Sequence, residues 1–470
     1  MNFDFIPAST RALGLGAMMK GAGKLLRFVP IPQPTLLVGP GSSGRLGQAV
    51  AGFGHSKILI VTDGVIAKLG LLKDLTDSLT AGGAEYVVFD EITPDAPIPL
   101  IERGIDFYEE HGCDAIVAVG GGSSMDASKA IAVSIANPSK SLRGLAGYFK
   151  GLNTPIPIYA VPTTAGTGSE VTVAAVIADP ERQSKLVIVD PRMVPKMAAL
   201  DPSLCTGLPP HITAATGIDA LTHAIESYVG NWATPYTDGM ALSAVGLIFE
   251  NLRTACSQGT DLQAREKMLL ASTYAGLAFT RANVGYVHAI AHQFGGRYHT
   301  PHGLANAIVL PHVLRFSLPD ITDRLAQLAV RARLGVETEP EKVLAQKFID
   351  GVVALERDIG IPTHLEALKA ADIPALAKAA CYEAHTGYPV PRYLTQAGCE
   401  DLIRLVLPPA AGGKPAKDTE TRAASATPKV VRKTAAKAAP EKGTPPTASA
   451  PTAAAKKTPV RKPRAPKAST

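Results

Sequence analysis

The stretch Asp114–Ala132 reads DAIVAVGGGSSMDASKAIA, and it passes from an apolar run through three glycines into a segment with helical spacing. A strand that is apolar at nearly every position is typical of a parallel sheet covered on both faces. Glycines after such a strand let backbone N–H groups approach a phosphate, and the N-terminus of the next helix attracts negative charge. The stretch therefore predicts an α/β fold with an anion-binding turn at Gly120–Ser123. A plain tight turn is the alternative, because the pattern differs from G-x-G-x-x-G.

Outside this stretch the chain divides into segments that differ in their pattern of apolar residues. Short apolar runs such as TLLVG, KILIVTD, EYVVFD and KLVIVD alternate with helical segments, which predicts an α/β domain with a mainly parallel sheet over residues 34–210. Residues 211–408 contain long segments with apolar residues at helical spacing, such as ITAATGIDALTHAIESYV, and are predicted to form an all-helical domain. An N-terminal arm, residues 1–33, and a tail, residues 409–470, complete the predicted organisation.

The tail differs in composition from the chain as a whole. Hydrophobic residues make up 46% of the 470 residues and charged residues 19%, as in ordinary globular proteins. From Lys414 to Thr470 there are 14 Lys and Arg against 3 Asp and Glu, so this part carries a net charge of +11 and the rest of the chain −5. With few large apolar side chains it cannot offset the entropy of ordering, so we expect it to be disordered.

Several features bear on where the protein works in the cell. No apolar run approaches the roughly 20 residues that cross a bilayer, and the N-terminus lacks the apolar core of a signal peptide. The five cysteines are scattered and form no C-x-x-C pair, which favours reduced thiols over a disulfide framework. We therefore expect a cytoplasmic protein without a transmembrane segment. Residues 9–28 could form an amphipathic helix on a membrane surface, or an arm packed on its own domain or a sister subunit.

A second loop strengthens the case for a bound dinucleotide. The apolar run IPIYAVP leads into Thr163–Glu170, a loop rich in hydroxyl groups that can bind phosphate, ribose or a carboxamide. Two such loops at the carboxyl ends of strands lie at the edge where open α/β sheets bind ligands. Asp63, at the end of KILIVTD, could accept hydrogen bonds from a ribose and would repel a 2′-phosphate, which favours NAD over NADP. A helix N-cap is the equally good alternative for Asp63.

Four of the eleven histidines lie within VHAIAHQFGGRYHTPHG, residues 287–303. His288 and His292 are four residues apart and share one helical face. The glycine pair Gly295–Gly296 is predicted to end this helix. His299 is predicted to line a pocket beside the site that the other histidines form.

Another helix offers a carboxylate and a further imidazole. In GIDALTHAIE, Asp219 and His223 have the same four-residue spacing, so two helices could present four donors to one point. The four candidates are Asp219, His223, His288 and His302. One carboxylate with three imidazoles suits Fe²⁺ or Zn²⁺. There are alternatives to a metal site. The histidines could be core residues whose nitrogens are hydrogen-bonded within the protein, and Asp219 could form a local i, i+4 hydrogen bond.

Four motifs together carry a family resemblance. They are GGGSxxD at Gly120–Asp126, PTTAGTGSEVT at Pro162–Thr172, GIDALTHAIE at Gly217–Glu226 and HAIAHQFGGRYHTPHG at His288–Gly303. In this order they resemble the iron-containing, or group III, alcohol dehydrogenase family over about residues 34–408. The resemblance implies a dehydroquinate synthase-like architecture in which NAD lies in a cleft between the α/β and the helical domains. It also implies a homo-oligomer, a dimer or higher.

The resemblance further implies roles for individual residues. The metal ligands would be Asp219, His223, His288 and His302, binding Fe²⁺ or possibly Zn²⁺, and His292 would relay protons without binding the metal. The dinucleotide contacts would be Asp63, Gly121, Gly122, Ser123, Thr163, Thr164, Thr167, Thr172, Lys185 and Leu204. Phe279 and His385 would line the substrate pocket. The implied reaction is reversible hydride transfer between a small alcohol and NAD, giving an aldehyde or ketone.

Two other functions compete with this hypothesis. Cyclases of the dehydroquinate synthase type also use NAD and a metal, but they need a basic phosphate pocket, and the cations near residues 219–302 are chiefly Arg281 and Arg297. The basic tail could instead bind nucleic acid or an anionic surface through residues 412–470, without sequence preference. A solubilising extension is the simpler interpretation of the tail, because no aromatic residues accompany its charge.

Overall fold

The computed structural model describes residues 29–182 and 184–409, together with Met19, Gly21 and Gly23. They belong to one compact unit that spans Met1–Ala410. The segment 412–470 lies outside the described residues, so its predicted disorder and anionic partners stay predictions. The same holds for the predicted domain boundaries, although the elements change from strands to long helices between residues 200 and 210.

The first half of the described chain alternates strands and helices. In chain order its elements are β1 (Thr35–Val38), α1 (Ser42–Ala51), β2 (Ile58–Val61), α2 (Gly64–Lys68), α3 (Lys73–Ala81), β3 (Tyr86–Phe89), α4 (Ile98–His111), β4 (Ala115–Gly120), α5 (Gly122–Ile135), α6 (Leu142–Leu145), β5 (Gly147–Tyr148), β6 (Ile158–Pro162), β7 (Ala174–Asp179), β8 (Ser184–Val189) and β9 (Met197–Leu200). Short 3₁₀ turns lie at Ser169–Val171, Pro191–Met193 and Pro202–Cys205.

Six of these strands form a fully parallel sheet in the order β1-β9-β6-β4-β2-β3. Every residue of β2, β4 and β6 is buried, because helices cover both faces of the sheet, and this explains their unbroken apolar runs. A smaller sheet, β5-β8-β7, pairs β7 antiparallel to β8. The predicted α/β fold with a mainly parallel sheet is confirmed.

The sheet brings the predicted cofactor loops to one edge. Strands β4 and β6 are neighbours, and Gly120 pairs with Pro162 at their carboxyl ends. The turns that begin at Gly121 and Thr163 therefore lie side by side. On the other side of β4, β2 ends at Val61, two residues before Asp63.

Among residues 210–409 every helical or extended element is a helix, as predicted. The helices are α7 (Pro210–Val229), α8 (Pro235–Ser257), α9 (Leu262–Ala282), α10 (Tyr286–Tyr298), α11 (His302–Arg331), α12 (Glu341–Asp358), α13 (Ile373–Gly387) and α14 (Gln396–Arg404), with a 3₁₀ turn at Ala370–Asp372. Helix α7 packs at the centre, with most of its residues buried. The long α11 is kinked at Ile321, which follows Pro319.

A glycine allows α11 to begin directly against α7. A Cβ atom on Gly303 would lie 2.3 Å from the carbonyl oxygen of Ala215 and 3.3 Å from the Cβ of Asp219. Any larger residue would force the two helices apart. This close approach places His302, the first residue of α11, beside Asp219 on α7.

Most of residues 9–28 lie outside the described residues, so the membrane-surface alternative for them stays untested. Two of the three described residues of this segment, Met19 and Gly23, contact the helical half of the chain. The indole Nε1 of Trp232 donates a hydrogen bond to the carbonyl of Met19 (2.7 Å), and Gly23 packs against the same indole. No helix in the described part of the chain is both long and apolar enough to span a bilayer. The five cysteines are free thiols.

Candidate metal centre and cofactor cleft

One carboxylate and three imidazoles converge between the helices. Asp219 and His223 lie one turn apart on α7, His288 lies on α10, and His302 begins α11. One possible ligand atom from each residue lies within 4.8 Å of those of the other three. Two helices were predicted to supply the donors. Three do so, because His302 is the first residue of a separate helix, α11.

The spacing of the donors suits a single cation. The Nε2 atom of His302 lies 3.5 Å from Asp219 Oδ1, and that of His288 lies 4.0 Å from the same oxygen. A tetrahedral metal with bonds of about 2.1 Å holds its ligand atoms about 3.4 Å apart, so small movements would close these donors around one ion. Asp219, His223 and His288 are buried, which limits competition from water.

Burial also leaves the imidazoles in the form that binds metal. Removal from water lowers the pKa of His223, lowers the pKa of His288 well below its usual range, and lowers the pKa of His302 to about 3. All three rings are therefore neutral near pH 7 and keep a lone pair for a cation. A hard carboxylate oxygen with three neutral imidazoles fits Fe²⁺ or Zn²⁺.

The path of the chain between His288 and His302 differs from the prediction. Helix α10 continues through Gly295 and Gly296 and ends at Tyr298. The end comes where His299 adopts a left-handed conformation with φ of 55°, shortly before Pro301. The predicted end was wrong because glycine permits a helix end without forcing one. His299 is exposed and caps the helix instead of lining the cleft.

Two buried polar residues contact the cluster. Glu226, three residues after His223 on α7, lies 2.6 Å from Nδ1 of His288. Burial raises the pKa of Glu226 to about 7, although neighbouring N–H donors oppose the rise. The amide nitrogen of Asn306 lies 2.7 Å from Asp219 Oδ1 and within 3.3 Å of Nε2 of both His288 and His302. Neither residue is among the predicted site residues, although each lies one helical turn from a predicted ligand.

His292 lies beside the four donors. Its ring stacks on that of His302 with centroids 5.3 Å apart, and its Nδ1 lies 2.6 Å from Glu383 Oε1. Glu383 also accepts hydrogen bonds from the amide of Gln293 (2.8 Å) and the hydroxyl of Tyr388 (2.5 Å). The contact with Glu383 fixes the ring of His292, and no pattern in the sequence indicated Glu383.

The two loops at the sheet edge contact each other closely. A Cβ atom on Gly122 would lie 2.7 Å from the methyl group of Thr167, and one on Gly121 would lie 3.3 Å from the hydroxyl of Thr164. Glycines are required here so that the N-terminus of α5 can approach the second loop. The partly exposed backbone of this turn is a suitable cradle for a pyrophosphate.

A buried lysine holds the second loop in place. The ammonium of Lys129 donates to the hydroxyls of Ser169 and Thr172, both at 2.8 Å, and to the carbonyl of Ala174 at 2.9 Å. Burial lowers the pKa of Lys129 to about 8. Lys129 is fully buried, so it supports the loop and cannot bind a cofactor itself.

Asp63 forms the helix cap that was the alternative prediction. Its Oδ1 accepts hydrogen bonds from the backbone N–H groups of Val65 (2.9 Å) and Ile66 (3.0 Å) at the start of α2. The cap uses one carboxylate oxygen, so the other remains able to bind a ribose.

A single cleft of about 1230 Å³ joins the loops to the metal-ligating cluster. Of the predicted cofactor residues, Gly122, Ser123, Thr167, Thr172 and Lys185 line it. Asp63, Gly121, Thr163, Thr164 and Leu204 do not, and Leu204 packs in the core beneath the sheet edge. The Lys185 ammonium pairs with Asp95 at 2.8 Å.

The two predicted substrate-pocket residues have different surroundings. Phe279 lines the cleft and stacks on the ring of His223, with centroids 4.2 Å apart. His385 is not among the cleft-lining residues, and its Nε2 lies 2.7 Å from the hydroxyl of Tyr286 and 3.1 Å from the carbonyl of Leu394. Phe279 is thus the residue of the pair that can contact a ligand at the cluster.

Comparison with known proteins agrees with this arrangement. The family description "Iron-containing alcohol dehydrogenase" matches residues 33–202, and "Fe-containing alcohol dehydrogenase family, C-terminal" matches residues 213–407. The chain belongs to the iron-containing alcohol dehydrogenase family. It is accordingly an oxidoreductase, a metal-dependent alcohol dehydrogenase that uses NAD. The family match decides between this function and the cyclase alternative.

Individual relatives of this alcohol dehydrogenase are similar over most of their length. Lactaldehyde reductase from Escherichia coli (strain K12) is 38% identical over 374 residues, which are 79% of this chain and 96% of the relative. The crystal structure of a 1,3-propanediol oxidoreductase has a TM-score of 0.77 at 37% identity and covers 81% of this chain and 100% of its own. A sulfoacetaldehyde reductase from Bifidobacterium kashiwanohense, solved with NAD⁺, has a TM-score of 0.72 at 29% identity, covering 80% and 98%.

Proposed function

We propose that Asp219, His223, His288 and His302 hold the metal of this alcohol dehydrogenase, and that NAD binds along the same cleft. The supporting observation is that the four donors and the glycine-rich turn at Gly122 line one continuous cavity. When bound, the metal supplies a Lewis acid that polarises the substrate oxygen, and NAD accepts or returns the hydride. The proposed substrates are small alcohols and the corresponding aldehydes or ketones.

The side chains of the cleft bind and orient the reactants. The N-terminus of α5 and the hydroxyls of Ser123 and Thr167 are proposed to bind the phosphates and ribose of the dinucleotide, because Gly122, Ser123 and Thr167 line the cleft. Lys185 can exchange its contact with Asp95 for one with the cofactor. Phe279, stacked on His223, presents an apolar surface next to the donors and excludes water from the path of the hydride.

His292 is proposed to move the proton that the alcohol releases. Glu383 occupies its Nδ1, so Nε2 is the nitrogen that can exchange a proton with the cleft, which His292 lines. From there the proton would pass through ribose hydroxyls and water, as expected of an imidazole acting as a general acid and base.

The proposed reaction is tested with a panel of alcohols on protein reconstituted with defined metals. We expect NAD-dependent oxidation, followed by the absorbance of NADH, after chelation and addition of Fe²⁺. Activity restored by Fe²⁺ and not by Zn²⁺ would identify iron as the working metal. No net formation of NADH with any simple alcohol, on fully loaded protein, would contradict the proposal.

The carboxylate of Asp63 is proposed to select NAD over NADP. In Asp63→Ser we expect the ratio of kcat/KM for NADP to that for NAD to rise by at least about 10-fold, because the charge that repels a 2′-phosphate is lost. Serine can still cap α2, so the fold should persist. Asp77→Ser, an exposed position on α3, is the control. An unchanged ratio in Asp63→Ser would remove Asp63 from cofactor selection.

Partners and location are proposed from the sequence. We infer a cytoplasmic homo-oligomer: the free thiols support the location, and the family resemblance supports the assembly. The basic segment 412–470 is proposed to add weak binding to nucleic acid or another anionic surface. Deleting residues 412–470 should then remove DNA binding at low salt and leave alcohol oxidation intact. Affinity for DNA that survives the deletion would exclude this role.

A further inference from the structure

Glu226 is a buried carboxylate without a cationic partner among Lys and Arg of the described residues. It closes the GIDALTHAIE motif on α7, and its exposed fraction is 6%. Burying such a group is costly unless hydrogen bonds compensate. The backbone N–H groups of Gly285 (2.8 Å) and Val287 (2.7 Å) donate to it, and Nδ1 of His288 lies 2.6 Å from its Oε2.

These contacts determine which nitrogen of His288 faces the cluster. In its ionised form Glu226 only accepts hydrogen bonds, and Nδ1 of His288 then carries the hydrogen. The Nε2 atom then keeps its lone pair, and it is this atom that lies 4.0 Å from Asp219 Oδ1. Without Glu226 the ring could adopt the other tautomer, with a hydrogen on the nitrogen that faces the donors.

The same carboxylate aligns the helices that carry the donors. Oε1 and Oε2 accept from the backbone of Val287 and Gly285, at the start of α10, while Glu226 itself lies on α7. A Cβ atom on Gly285 would lie 2.8 Å from Oε1 of Glu226, so the contact depends on glycine there. Glu226 thus connects the helix of Asp219 and His223 to the helix of His288.

We propose that Glu226 is a positioning residue of the metal centre: it fixes the tautomer and orientation of His288 and raises the affinity of the site for a divalent cation. Carboxylates that accept the second N–H of a metal-bound histidine have this effect in other metalloproteins. The inference rests on the proposed function, specifically on His288 as a ligand.

The test is the dissociation constant for Zn²⁺ and for Co²⁺ of the metal-free protein, measured by competition with a chelator. In Glu226→Gln, an amide NH₂ must face either the Val287 N–H or the Nδ1 of His288. The first arrangement loses a hydrogen bond and the second favours the wrong tautomer. Together with the loss of charge, we expect about 10- to 100-fold weaker binding of both ions.

Two controls separate this inference from the proposed site itself. Glu356→Gln removes another buried carboxylate, 7% exposed on α12, and should leave the dissociation constant unchanged. His288→Ala should abolish tight binding. If His288→Ala binds metal as the unaltered protein does, the proposed metal site fails. If His288→Ala loses the metal while Glu226→Gln keeps normal affinity, only the role of Glu226 is overturned.

A second variant covers the case in which Glu226→Gln does not fold. Gly285→Ala keeps the carboxylate but displaces it, and the φ of −142° at this position suits any residue. We expect its affinity for Zn²⁺ to fall as well. If Glu226 only caps α10, these variants would lower the thermal midpoint of the metal-free protein and leave the dissociation constant unaltered, which would overturn the proposal.

Discussion

Asp219→Asn is expected to lower kcat/KM for alcohol oxidation by at least about 1000-fold, because several kcal/mol of Lewis-acid assistance depends on the metal. Asp219 supplies the one carboxylate of the cluster, and its Oδ1 lies near Nε2 of both His288 and His302. An asparagine amide brings no negative charge to compensate a divalent cation. The metal content of the purified variant should fall in parallel.

The control for this prediction is another carboxylate of the helical half. Asp238→Asn, at a partly buried residue on α8 that pairs with Arg324, should retain the metal and most of the activity. Combining Asp219→Asn with His302→Ala should remove the remaining turnover. A double variant that keeps its metal and normal kcat/KM would disprove the proposed centre.

His292→Ala is expected to lower kcat by about 100- to 1000-fold, as for loss of a general acid or base, while the metal content stays normal. His292 lies against the cluster, and its Nδ1 is bound to Glu383, so it is not one of the four converging donors. Steady-state kinetics and metal analysis on the same preparation measure both effects. KM should change little, because the ring is proposed to move a proton and not to hold the alcohol.

Gln293→Ala is the matched control for His292→Ala. It removes the other side chain of α10 that bonds to Glu383, but it leaves the imidazole in place. A small effect on kcat is expected. Loss of metal in His292→Ala would make His292 a ligand, and unchanged kcat would exclude it from proton transfer.

The sequence predicted those parts of the fold that depend on the spacing of apolar and polar residues along a single strand or helix. The apolar runs of β2, β4 and β6 indicated strands covered on both faces, and all three are fully buried. The four-residue spacing of Asp219 and His223 on a helix, repeated at His288 and His292, indicated faces that could hold a metal. Two predictions that failed lie side by side: the end of α10, and His299 as a pocket-lining residue. Gly295–Gly296 were expected to stop α10, whereas the conformation of His299 stops it.

Site residues whose importance lies in a contact with a distant part of the chain were not found. Glu383 contacts His292 across 91 positions, and Lys129 reaches Ser169 across 40. The sequence pattern around Glu383 and Lys129 does not distinguish these two residues from ordinary helical residues. Their roles depend on which helix or loop packs against them.

The sequence by itself determined the strand–turn–helix unit at 114–132, the change to helices after Pro210, and the helical faces that carry the candidate ligands. Only the tertiary structure decided that His302 begins a third helix against α7, that Asp63 caps α2, and that Glu226 meets His288 across 62 positions. The physical reason is that backbone periodicity fixes the direction of a side chain on its own element. The partner it meets is fixed by packing between elements, which here depends on close approaches at Gly285 and Gly303.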